Sequence, residues 1–254
     1  MSRQSNATNQ FPESAPASDA VIAALRTRYA ARDQAMPQSD WHRNIYHPRH
    51  PLGQLFREHN RAALIRTLNA LELELPALRM LDVGCGYGHW LRTLVELDAT
   101  PQNLVGVDIA GERLMAAQAK HAGINWLAFD GKCLPLAAVS LDWVMQVVVF
   151  SSVPTAELQQ LLAAEMHRVL RPGGYLFWID HQATQGHDLH GFTVEKVQEL
   201  FPTCRLVRQE ALHPHYFRTL YRRSPWLASS LYQATRWDCD SWLVVLRKEA
   251  HAAE

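Results

Sequence analysis

No segment of this 254-residue chain holds the roughly 18 consecutive apolar residues that a membrane-spanning helix needs. Cysteine is scarce: four in all, at 85, 133, 204 and 239, with no C-x-x-C spacing. That argues against a disulfide scaffold and a zinc site, so no metal is expected, and it fits a reducing cytoplasm. Neither sign of charge is in excess, since Lys plus Arg and Asp plus Glu number 25 each. With no net positive field, nucleic acid is not the expected partner. The first residues lack an apolar h-region, so no secretory signal is expected. There is no internal repeat. These absences leave a globular chain, 48% hydrophobic, long enough to bury one substantial core. Histidine is plentiful at 13, so the net charge turns positive below about pH 6.5.

The most informative stretch is 81–90, Leu-Asp-Val-Gly-Cys-Gly-Tyr-Gly-His-Trp. An apolar run from Met80 to Val83 stops at Gly84, Gly86 and Gly88, and a helical pattern follows. This is a buried strand breaking into a tight turn that opens a helix. Glycine there admits positive φ and lets a ligand approach the backbone, and the N–H groups at the helix start offer a polar cradle. A nucleotide-like cofactor is expected. The spacing is G-x-G-x-G, whereas dinucleotide folds use G-x-G-x-x-G, and His89 stands where that fingerprint wants Gly or Ala. Asp82, two residues before the first glycine, would repel a pyrophosphate and attract an ammonium group. Asp108 ends the short apolar strand Leu104–Val107. A carboxylate there suits two ribose hydroxyls, a chemistry shared by several nucleotide cofactors; the alternative is a cap for the helix that follows. Ile109 is either a face for an adenine or ordinary core. Asp130-Gly131 reads equally as a turn. Cys85 is read as a small residue that fits the loop.

Periodicity predicts a helix over 19–35, a proline-marked loop over 36–51 and a helix over 52–73. Strands over 79–83, 103–107, 124–128, 141–149 and 174–180 then alternate with helices over 87–97, 111–121 and 155–169. A helix near 193–200 and strands over 204–210 and 241–247 complete the chain. Alternating βα units imply a parallel sheet covered by helices on both faces. Residues 1–18 read as a disordered tail, 19–75 as a helical segment before the core, and 76–254 as the core with an insertion over 211–240.

LDVGCGYG is very similar to motif I of the class I S-adenosylmethionine-dependent methyltransferases, of the methyltransferase 11 group. The resemblance continues in order. Val-Gly-Val-Asp-Ile at 105–109 resembles the second strand with its ribose-holding acid. Phe129-Asp130-Gly131 resembles the third strand end, where an Asp faces the adenine amino group. Leu141 to Gln146 is similar to the fourth strand, and 168–176, Arg-Val-Leu-Arg-Pro-Gly-Gly-Tyr-Leu, to the fifth. The resemblance covers 78–182 closely and implies a doubly wound, seven-stranded, mostly parallel Rossmann-like α/β sheet with an antiparallel last strand. It implies S-adenosylmethionine as cofactor, bound by Asp82, Gly84, Cys85, Gly86, Asp108, Ile109, Asp130, Gly131 and Gln146.

Methyl transfer needs a nucleophile aligned in line and sometimes a base. His181, directly after the fifth strand, is the first candidate base, with a hydrogen-bonded loop histidine as the alternative, and Asp180 beside it is read as orienting a ring or contacting substrate. Gln146 is polar in an apolar strand, where an unpaired amide is costly, so it reads as functional. Phe150 falls at the same strand end. Tyr29, Tyr46 and His59, in the segment before the core, are candidates for a lid that contacts substrate. His187 and His190 read as a polar loop. Residues 213–232 mix basic and aromatic side chains and allow three readings: a helix packed on the sheet edge, a dock for a phosphorylated or lipid-linked acceptor at a membrane face, or RNA contact. The expected activity is methylation of an O or N atom on a small molecule, sugar or lipid-linked intermediate. The rivals are a non-catalytic cofactor-binding scaffold and an NAD-dependent oxidoreductase. No signature of oligomerisation is visible.

Overall fold

The computed structural model describes residues 16–36, 47–182, 191–214, 220, 223, 224, 226, 227, 231 and 239–250. The chain builds α1 (Pro16–Ala35), α2 (Pro51–Ala70), β1 (Met80–Val83), α3 (His89–Glu96), β2 (Leu104–Asp108), α4 (Gly111–Lys120), β3 (Asn125–Ala128), β4 (Leu141–Val147), α5 (Ala156–Val169), β5 (Leu170–His181), α6 (Val194–Leu200), β6 (Cys204–Pro214) and β7 (Cys239–Lys248). One seven-stranded sheet has the order β3-β2-β1-β4-β5-β7-β6. The pairs from β3 to β5 are parallel, and β7 runs antiparallel between β5 and β6.

Strands buried on both faces explain the near-continuous apolar runs. Alternate residues feed two cores. Leu81, Val83, Val144, Leu176 and Trp178 face one side, where α5 and α6 pack. Met80, Trp143, Met145, Phe177 and Ile179 face the other, with α2 and α3. Thr155 and Thr193 cap α5 and α6 by accepting the amides of Leu158 and Lys196.

Several boundaries differ from the sequence reading: α1 starts at Pro16, inside the expected tail, and β6 runs on to Pro214, and three further shifts have a visible backbone cause. Strand β4 stops at Val147, two residues early, because Val148 takes φ +58. β5 begins at Leu170, directly after α5, and carries Gly173 at φ +77 within it. α2 ends at Ala70, since Glu72 turns at φ +49. Tyr46, His187, His190, the first fifteen residues and most of 211–240 lie outside the described residues. No helix among the described residues is long and apolar enough to cross a membrane.

Candidate active site

The site begins where β1 ends. Gly84 sits at φ +70, and a Cβ on it would lie 2.5 Å from Val149 Cγ2. Gly88 precedes α3, and a Cβ there would stand 2.3 Å from the Trp126 indole. Its small size serves packing against β3. Gly86 alone of the three faces open space, at φ +54, although it is not among the residues that line the cavity above the loop. The loop is fastened to β2: Gly84 N and Cys85 N both donate to Val107 O, at 2.8 and 3.0 Å. Gly86 N donates to Asp108 Oδ2 and Ala110 N to Oδ1, each at 2.8 Å. One carboxylate therefore sets the loop and organises the start of α4. Its further lone pairs can accept ribose hydroxyls.

Above this loop is a cavity of about 250 Å³. Gly84, Asp108 and Ile109 form its floor, with Phe129 and Gly131 beside them; Val147, Val148, Val149, Ser152 and Val153 come from the end of β4. Leu158 and Leu162 of α5 close one flank, and Ile22, Leu25, Tyr29 and Arg32 of α1 with Arg113 of α4 close the top. It lies beyond the carboxyl ends of the parallel strands, where such sheets bind ligands. Of the residues singled out in the sequence, Gly84, Asp108, Ile109, Gly131 and Tyr29 are thus brought together around one cavity.

Other candidates do not line the cavity. Asp82 is 1% exposed under the loop. Burial, and secondarily the charge of Asp108, holds its carboxyl well above the ordinary range, and its Oδ2 has no hydrogen-bond partner among the described residues. Cys85 is buried against Gly106, and desolvation pushes its thiol far up, so it does not act as a nucleophile. Asp130 is exposed, and its Oδ1 accepts the amides of Lys132 and Cys133, the turn geometry weighed above. Gln146 is fully buried. Its Nε2 donates to Ile179 O (3.3 Å) and its Oε1 accepts Val149 N (2.9 Å), so a cofactor contact by this amide is replaced by support of the cavity wall. Phe150 is core, 4.3 Å from Trp178 between ring centroids. His59 is half-buried on α2, away from the cavity lining. His181 ends β5 with Nδ1 3.3 Å from Ser241 Oγ, also outside the lining.

Two features, the Asp33–Arg113 pair and the strained Val148, escaped sequence reading, and a third residue, Asp180, has partners other than the ring or substrate it was expected to serve. Arg113 makes a two-pronged ion pair with Asp33, Nε to Oδ2 at 2.5 Å and Nη2 to Oδ1 at 2.8 Å, and its guanidinium lies 4.6 Å from the Tyr29 ring centroid. Eighty positions separate the pair, and no local pattern announces it. Val148, β-branched in the left-handed region, is a strained residue on the cavity wall. Asp180, buried at the end of β5, accepts the amides of Ser151 (3.1 Å) and His181 (2.8 Å), pinning the segment after β4. Burial pushes its carboxyl up.

The residues present fit a nucleoside carrying a cationic amino-acid tail. Apolar Ile109 and Phe129 suit a base, Asp108 suits a ribose, and at the end of β1, just before the glycine loop, Asp82 keeps a buried carboxylate oxygen without a partner among the described residues. Comparison with known proteins points the same way. Residues 80–174 match a methyltransferase domain family, and the chain shares the fold of S-adenosylmethionine-dependent methyltransferases. A phthiotriol/phenolphthiotriol dimycocerosates methyltransferase of Mycobacterium ulcerans is 30% identical over 166 residues, 61% of this chain and 58% of that protein. The chain spans about half the length of the curated relatives it matches. Magnesium protoporphyrin IX methyltransferase of Synechocystis, solved with bound S-adenosylmethionine, shares the fold at TM-score 0.64 and 14% identity, over 95% of this chain and 100% of that one. The [4+2]-cyclase SpnF does so at TM-score 0.59 and 16% identity, over 93% and 98%.

Proposed function

We propose that the whole protein transfers a methyl group from S-adenosylmethionine to an O or N atom of a small molecule or lipid-linked intermediate. The observation that carries this reading is the cavity that joins Gly84, Asp108, Ile109 and Gly131 under the side chains of α1. When bound, S-adenosylmethionine supplies an electrophilic methyl carbon on a sulfonium. Asp108 would hold the ribose, Ile109 and Phe129 the base, and the Gly86 backbone the amino-acid end, with the Asp82 carboxylate beneath it. Helix α1 acts as a lid that excludes water. His181 is the proposed proton acceptor where the acceptor is a hydroxyl or a protonated amine, and Ser241 orients its ring through Nδ1. Among the described residues that line the cavity, only Asp108, Arg32 and Arg113 are charged. That supports an acceptor with an apolar body over a sugar, and the mycobacterial relative is named for the methylation of phthiotriol and phenolphthiotriol dimycocerosates.

The test is calorimetric titration with S-adenosylmethionine, S-adenosylhomocysteine and NAD in parallel, followed by a screen for acceptor-dependent S-adenosylhomocysteine release. Binding of the two sulfur ligands without NAD, with release driven by an apolar acceptor, is the expected result. Binding without release by any acceptor would favour a scaffold.

A further inference from the structure

Helix α1 is held to the core in an unusual way. Among its described side chains Ile22 alone is fully buried, so little apolar area fastens it, and a helix docked this way opens at low free-energy cost. Its attachments are mostly polar. At the amino end, Asp19 meets Lys132 at 2.6 Å, but Asp19 is two-thirds exposed and such pairs contribute little. In the middle, Arg26 Nη2 donates to Phe129 O at 3.3 Å. At the carboxyl end, Asp33 takes both prongs of Arg113 with side chains only 16% and 9% exposed. Shielded, two-pronged geometry is the strong form of this contact.

Arg113 connects this pair to the site. It lines the cavity, covers Tyr29 at 4.6 Å and stands 5.7 Å from the Tyr87 ring centroid in the glycine loop. Asp33 itself does not line the cavity. The cavity of about 250 Å³ is below the roughly 300–1,000 Å³ usual for small-molecule sites and is capped by Ile22, Leu25, Tyr29 and Arg32 of α1, so a shift of α1 is the direct way to make room for a nucleoside with an amino-acid tail.

We propose that Asp33 is a positioning residue that latches α1 over the cofactor cavity through Arg113 and Tyr29, and so sets how long S-adenosylmethionine and its demethylated product stay bound. The proposal rests on the cofactor reading above, and its test separates the two.

Stopped-flow binding of S-adenosylmethionine and S-adenosylhomocysteine to the full chain reads association and dissociation directly. Asp33→Asn keeps the shape and removes the charge. The expected result is dissociation faster by about tenfold or more, with association unchanged or faster. Asp33→Glu should recover part of the residence time, and Lys132→Ala should change it less than twofold. A spectroscopic signature accompanies the latch. Burial first, then the charge of Asp33, raises the Tyr87 phenol above its ordinary range, so Asp33→Asn should lower the pH at which Tyr87 ionises. A thermal melt of each ligand-free variant reports folding. Unchanged dissociation in a folded Asp33→Asn protein overturns the latch. Absence of binding by the wild type overturns the cofactor reading instead.

Discussion

A Cβ on Gly84 would stand 2.5 Å from Val149 Cγ2, so the first glycine of the loop and the wall of the cavity are in direct steric contact. Gly86, two residues on, meets nothing within 4 Å. The two glycines should therefore fail differently. Gly84→Ala adds a clash to a positive φ and is expected to destabilise the fold by about 2–4 kcal/mol. Gly86→Ala carries mainly the conformational cost of about 1–2 kcal/mol but places a methyl where the ligand approaches. Thermal denaturation and calorimetry on both variants check this: Gly84→Ala should lose stability first, Gly86→Ala cofactor affinity first.

Asp108 serves the loop, the start of α4 and the proposed ribose site at once. Asp108→Ala is expected to weaken S-adenosylmethionine by about 1–3 kcal/mol, through lost hydrogen bonds to a charged acceptor and release of the Gly86 and Ala110 amides. Unchanged affinity in calorimetry would remove Asp108 from the site.

In the proposed site, Asp82 is expected to link cofactor binding to pH. Its folded-state pKa is raised, by burial and then by Asp108. The stability tied to its carboxyl is complete below the ordinary carboxylate range and is lost as pH rises toward the raised value. A cation above it favours the ionised form, so binding should release protons, and affinity should climb with pH through that window. Calorimetry in buffers of differing ionisation enthalpy measures the proton count. Asp82→Asn should abolish the release, stabilise the ligand-free protein at neutral pH and weaken the cofactor by about tenfold.

His181→Ala is expected to lower turnover by about 10²-fold or more once an acceptor is in hand, with near-normal S-adenosylmethionine affinity. Wild-type turnover would leave His181 as the ring that hydrogen-bonds Ser241.

Gln146→Leu removes a buried amide, leaving Val149 N without its acceptor and Ile179 O with Val148 N as its remaining donor at this turn. A loss of about 1–3 kcal/mol in stability is expected, read by denaturant titration. Cofactor affinity should fall with it, because Val149 forms part of the cavity.

Much of this architecture is legible along the chain because its signals are local. The strand–glycine–helix unit at 80–96, the acid ending β2 and the βα alternation each depend on neighbours within a few residues, so period and turn chemistry reveal them. The antiparallel last strand was implied by resemblance to a family and not by periodicity.

What only the tertiary structure decided are the long-range relationships. A polar Gln146 in an apolar strand announces that its amide needs partners, but not that Ile179 and Val149 supply them. Asp130 and Asp108 look alike as acids at strand ends; only packing turns one into an exposed turn residue and buries the other beneath the cavity. Asp33 and Arg113 carry no mark at all, since their meaning arises when α1 packs over the cavity and brings two charges into a shielded pair. Local conformational preference determined the elements and the cofactor loop; burial and partner choice, which belong to the folded chain alone, determined which side chains form the site.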